Sequence, residues 1–205
     1  MNMLKHGLTE KTPQSIVFGA GTIHKGLKFA TDTWNFEESL YGATSGGTKL
    51  SIVPELVNLE IDGVNVKTKG LTQKVGESAN METNVVEITP GMIKTAIIGK
   101  DGTGVKGFSE IVSKDKIEEG DYIENFGYVG KTLGGKPIIV IFDNALCTNG
   151  LELEGKNKEN AVVKLTLECY ADLTGDGVTL PYHIYHPNGE VMSMSELKDE
   201  IIDEK

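Results

Sequence analysis

Positions 163 to 171 alternate without a slip. Val163, Leu165, Leu167, Cys169 and Ala171 are separated by Lys164, Thr166, Glu168 and Tyr170. A period of two over such a run predicts a β-strand with one buried and one wet face. The run Ile138-Ile139-Val140-Ile141-Phe142 has no polar position at all, which predicts a strand covered on both sides. Between the two lie a turn signal at Asn149-Gly150, the stretch Leu151 to Glu154, and a polar loop from Gly155 to Asn160. Ile138 to Ala171 is expected to form the middle of an antiparallel sheet.

The same pattern analysis places elements along the rest of the chain. Ser15-Ile16-Val17-Phe18 predicts a short strand, and Gly19-Ala20-Gly21 a turn after it. Asp62-Gly63, with Leu59 and Ile61 before it and Val64 and Val66 after it, is a strong hairpin signal. Thr68 to Thr83 is polar and alternates poorly, and the apolar phase shifts between Val85 and Val86, as at a bulge. Thr89-Pro90 opens a helix with Thr89 as N-cap, Met92, Ile93, Ala96 and Ile97 on one face, and Gly99 as its closing C′ glycine. Phe108 to Val112 and Tyr122 to Val129 predict strands, with a charged turn from Lys114 to Gly120 between them and a Gly134-Gly135 turn leading to Ile138. Ser193 and Glu196 have capping-box spacing, and Leu197 and Ile201 lie one turn apart. A short C-terminal helix is expected there, docked on its own domain or on a neighbour because it is marginal alone.

One long segment escapes both periods. Trp34 to Thr48 holds the sole tryptophan, two further aromatics and a Gly/Ser/Thr tract, and is expected to be a long loop. Long loops in compact domains are functional or disordered, and aromatics on them suit a surface that meets another protein.

Charge and candidate chemistry narrow the function. With 20 Lys and Arg against 30 Asp and Glu, the net charge is -10. Gripping nucleic acid or an anionic membrane needs clustered cations, so neither is expected. Met1 to Lys11 lacks the apolar core of a signal peptide, so Cys147 and Cys169 are expected to be buried free thiols in a reducing compartment. Gly19-Ala20-Gly21 has a misplaced third glycine for a dinucleotide fingerprint, and Gly130-Lys131-Thr132 has Asn125 where a phosphate loop needs glycine. Asp172 to Gly177 begins like a calcium loop, but its twelfth position is His183 rather than Glu. His183 and His186 fall on opposite faces of an extended stretch. No nucleophile–base pair can be assembled. The expectation is no enzyme, no catalytic residue, no cofactor and no metal.

Several runs resemble the major tail protein, the tail tube subunit, of long non-contractile-tailed phages and prophages of Gram-positive bacteria. They are Phe18 to Gly26, Trp34 to Ser39 with Gly42 to Gly47, Glu118 to Tyr122, Gly130 to Thr132 and Gly155 to Ala161. The resemblance spans residues 15–187 and rests on the joint occurrence and order of these runs. It implies a mainly β (α+β) fold, an antiparallel β-sandwich or half-barrel with one flanking helix and a short C-terminal helix. Residues 1–14 would be an N-terminal arm, 15–187 the tube domain with 34–48 as an inter-subunit loop, and 188–205 a C-terminal arm. It implies a structural virion protein, made in the bacterial host cytoplasm, whose hexameric rings stack into a conduit for DNA ejection. DNA passes the lumen without specific binding, as an acidic wall favours. Its partners would be copies of itself and the tape-measure, tail-terminator and distal-tail proteins, with no membrane. Trp34, Phe36, Leu40, Tyr41, Thr44, Gly46 and Gly47 would lie at the subunit interface. The alternative is a β-sandwich module that binds carbohydrate or a cell surface, although only 6% of the residues are aromatic.

Overall fold

The computed structural model describes residues 7–188, apart from 10, 18, 156, 159 and 176 and the side chain of Gln14. The expected helix at Ser193 to Ile202 lies outside the described residues, as does Asp176 of the calcium-like run. Twelve strands are described: β1 (Thr22–His24), β2 (Phe29–Ala30), β3 (Thr33–Trp34), β4 (Thr44–Asn58), β5 (Thr72–Val85), β6 (Gly99–Asp101), β7 (Ile111–Ser113), β8 (Ile123–Lys131), β9 (Pro137–Cys147), β10 (Leu153–Glu154), β11 (Val162–Cys169) and β12 (Tyr182–Tyr185). Helical turns α1 (Thr12–Ser15) and α2 (Phe36–Ser39) and the helix α3 (Pro90–Ile97) accompany them. The fold is mainly β, as the sequence pattern predicts.

Eight strands form one antiparallel sheet in the order β1-β8-β9-β11-β5-β4, with β10 beside β11 and β12 beside β9. β9 has no wet face because both its faces are covered. Val140 and Phe142 point into the main core with Met81, Leu165 and Leu167, while Ile139 and Ile141 join Leu27 and Val129 in a second cluster on the other face. Met92 and Ala96 of α3 pack into the main core. The Thr89 hydroxyl accepts the Met92 amide at 3.2 Å, the N-cap that the sequence predicts.

Five local expectations are corrected. Residues 12–15 form a helical turn with Pro13 in its first positions, and Val17 makes only an isolated bridge to Thr132, so no strand forms over Ser15 to Val17. Proline at the start of a turn of helix is pre-set for it. Helix α3 closes on Ile98, whose φ of 50° is left-handed, and Gly99 already belongs to β6. Gly99 instead sits in a tight space, since a Cβ there would meet Ile111 Cγ2 and Ile97 Cγ1 at 3.0 Å and those side chains would have to give way. The strand expected at Phe108 starts later, at Ile111, and Phe108 stands exposed in the β6–β7 connection. The turn at Asp62-Gly63 exists, with the Val64 amide donating to Ile61 O at 3.0 Å, but it sits inside a longer loop rather than joining two strands directly. The irregularity expected at Val85/Val86 falls on the partner strand. Val85 pairs with Thr44 and Thr83 with Thr48, so β4 carries the extra residues, Gly46 and Gly47, at φ 80° and 84°.

Candidate functional site

The stretch expected to be a loop, Trp34 to Thr48, is mostly ordered structure. Trp34 ends a tight hairpin in which Phe29 pairs with Trp34. The turn between them, Thr31-Asp32, has φ of 53° and 62°, the two left-handed residues a two-residue hairpin needs. Asn35 staples the excursion: its Oδ1 accepts the Lys28 amide at 2.7 Å and its Nδ2 donates to Gly26 O at 3.1 Å. From Thr44 onwards the chain is already strand β4. Gly46 and Gly47 looked like loop residues because glycine in a strand marks a bulge as readily as a loop.

The seven expected interface residues therefore separate. Phe36 packs on the second core cluster and Tyr41 on the main one, with its ring edge-on to Phe126 at 5.9 Å. Trp34 also packs on the second cluster but stays half-buried. Leu40 is exposed beside β1, to which it is bridged through His24. Thr44, Gly46 and Gly47 lie in β4.

His24 holds this excursion to the sheet from beneath. The Ser39 hydroxyl donates to Asn35 O at 2.7 Å, so its oxygen must accept from His24 Nδ1 at 2.9 Å. That leaves His24 Nε2 to accept from the Thr22 hydroxyl at 2.8 Å, and the ring neutral. Burial lowers its pKa to about 4 from 6.5. The unfolded chain therefore takes a proton first as pH falls, and stability is lost between pH 6.5 and about 4. From pH 7.5 to 5 the loss is expected to be about 2 kcal/mol. Urea midpoints across that range check it, and a His24→Gln variant should show a flatter profile. Lowered carboxylates such as Glu82 act only at more acidic pH.

A feature that sequence reasoning missed dominates the surface. β5 pairs with β11 only from Val85 to Asn80, but continues its pairing with β4 as far as Thr72–Asn58. Beyond that point the two strands leave the sheet as a ribbon, closed by residues 59–71 with a Leu59 amide to Leu71 O bond of 2.8 Å. Val53 to Val57 are five exposed residues in succession, so neither face of the ribbon is covered. Leu56 is 59% and Val66 72% exposed. The Tyr182 hydroxyl donates to Glu77 at 2.9 Å and pins the base of this arm to β12, while Lys74 of the same strand pairs with the Glu77 carboxylate. These contacts, Lys74 first, lower the Glu77 pKa. β4 has one strand neighbour, β5, among the described residues, so its outer edge is open. Pro54 sits in it, where only an edge strand tolerates proline.

Two surface hollows complete the picture. The first, about 390 Å³, is lined by the Gly46-Gly47 bulge and by Lys49, Glu82 and Lys164. Lys164 and Lys49 flank Glu82 at 2.8 and 2.9 Å and hold its carboxyl down to about 2. The second, about 400 Å³, is aromatic: Phe29, Trp34 and Tyr185 line it, with Lys28, Asp143 and His183 at its sides. Trp34 meets Phe29 at 5.2 Å and Tyr185 at 5.1 Å between centroids. His183 lies 3.3 Å from Asp143.

Among the described residues no group of three His, Cys, Asp or Glu side chains could hold a metal, and no helix is long and apolar enough to cross a membrane. Cys147 and Cys169 are free and buried. No protein-family model and no curated protein matches the chain. Among solved structures it is similar to a chain of the virion of a native gene transfer agent particle, at 12% identity over 80% of this chain and 95% of that one, with a TM-score of 0.41.

Proposed function

We propose that the chain is a tail tube subunit of a phage-type virion, whose copies associate into hexameric rings that stack into a conduit for DNA. The arm formed by β4 and β5 carries this reading. A two-stranded ribbon with bare faces is marginal in water, and an open, partly aliphatic edge is an invitation to pair with another chain. Both features are liabilities in a monomer and assets in an assembly. The net charge of -10 suits a lumen that must pass DNA without holding it. Of the expected interface residues, Leu40 and Gly46 are exposed, and Trp34, Phe36, Tyr41, Thr44 and Gly47 are half-buried. Tape-measure, terminator and distal-tail proteins would be its other partners in the virion. Where the open edge or the arm meets a different surface of the next copy, the contact is head-to-tail, and such contacts close into rings or run on as filaments.

A concentration series by negative-stain electron microscopy, with mass by light scattering, tests the reading. Rings or hollow tubes with a six-subunit repeat are expected. The aromatic hollow favours one other reading, a module that binds carbohydrate or a cell surface. A strict monomer that binds glycans at every concentration would decide for that module and against the tube.

A further inference from the structure

An interface between copies of one chain needs a protruding surface and a hollow that receives it on the same molecule. The tip of the arm protrudes, presenting Leu59, Ile61, Val64 and Val66 to solvent. Exposed aliphatic side chains grouped on one loop mark a site of contact. Of the two hollows, the one at Gly46-Gly47 is filled with charge, because Lys49, Glu82 and Lys164 are paired across it. Seating aliphatic side chains there would strip water from those ions without replacing their partners. The aromatic hollow has the opposite character. Its Phe29 and Tyr185 are 56% and 45% exposed, so nothing among the described residues covers it.

We infer that the arm tip of one copy seats in the Phe29–Trp34–Tyr185 hollow of a second copy. This deepens the tube reading and rests on it. Valine and isoleucine side chains against three aromatic rings exchange two wet apolar surfaces for one dry contact. The flanking charges match in kind. Lys67 and Lys69 at the tip form no ion pair among the described residues, and the hollow offers Asp143. Lys28 at the hollow faces a tip that also carries Glu60 and Asp62. Such rim charges set register and discriminate against wrong partners more than they add affinity.

Trp34 is the single tryptophan, so the chain's tryptophan fluorescence comes from the hollow itself. Its emission is expected to shift to the blue as rings or tubes form. Val66→Cys chains mixed with Phe29→Cys chains should cross-link through a short bismaleimide, while neither chain alone should. The native thiols, both buried, stay silent. Val64→Asp/Val66→Asp is expected to raise the concentration for half-assembly at least about tenfold with unchanged circular dichroism. Tubes that form with unmoved Trp34 emission and no 29–66 link overturn this contact while the tube reading stands. A link from Phe108→Cys, an exposed apolar residue away from the arm, in place of Val66→Cys does the same. A chain that never self-associates overturns both.

Discussion

Excising the arm's tip is expected to give a folded monomer that forms neither rings nor tubes where the full chain does. Asn58 pairs directly with Thr72, so an Asn-Gly link between them replaces residues 59–71 with a two-residue hairpin turn and keeps the register. The loop removed contributes little to the core: Leu59, Ile61, Val64 and Val66 are all exposed. Stability should therefore change by no more than about 1 kcal/mol, a shift of about 2–4 °C in Tm for a chain of this size. Assembly should suffer far more, because a central apolar contact commonly carries several kcal/mol of an interface. The concentration for half-assembly is expected to rise more than about 100-fold. Melting by circular dichroism and mass by light scattering read the two effects separately. Tubes from the excised chain would show that the tip is not an assembly element. An excised chain that unfolds would show that the tip belongs to the fold.

Why the arm was hard to see in the sequence follows from the same exposure. Strict alternation is a mark of one-sided burial, not of the strand itself. β11 was legible because Val163, Leu165 and Leu167 are buried and Lys164 and Thr166 are not. β5 is buried in alternation only from Ala79 to Val85, and from Thr72 to Val75 every residue is exposed. That half therefore looked like polar, irregular chain. Its partner β4 was legible as strand from Leu50, and only its start was hidden by Gly46 and Gly47, which read as loop and act as a bulge. The aromatic hollow was out of reach for another reason. Trp34 stood out as unusual, but Tyr185 joins it only because β12 pairs with β9 in a register that sets Tyr185 opposite Ile139. Such a meeting belongs to topology, which a single sequence does not display. The cap of α3, by contrast, is local chemistry between Thr89 and Met92, and local chemistry was legible.

The centre of the sheet sets the opposite limit to the arm. Phe142→Ala is expected to cost about 3–5 kcal/mol, measured as the loss in unfolding free energy by urea titration. Phe142 is fully buried and pairs across the β8–β9 ladder with Phe126, itself fully buried. Both rings lie in the main core, and Tyr41 stands edge-on to Phe126 at 5.9 Å, so truncation leaves a hole walled by rigid rings. Aromatic walls on neighbouring strands cannot collapse into that space without moving the ladder, which places the cost toward the upper end. A loss of this size is a large fraction of the 5–15 kcal/mol that holds a typical domain together. Leu56→Ala removes a similarly apolar side chain from the arm, where Leu56 is 59% exposed, and should change the monomer by less than about 0.5 kcal/mol. If Leu56 nevertheless weakens assembly while Phe142 weakens folding, the apolar residues of this chain divide between two tasks. Those under β8 and β9 hold one molecule together, and those on β4 and β5 are kept bare for the next. Equal losses of monomer stability from both substitutions would sink that division, because the arm would then be part of the core.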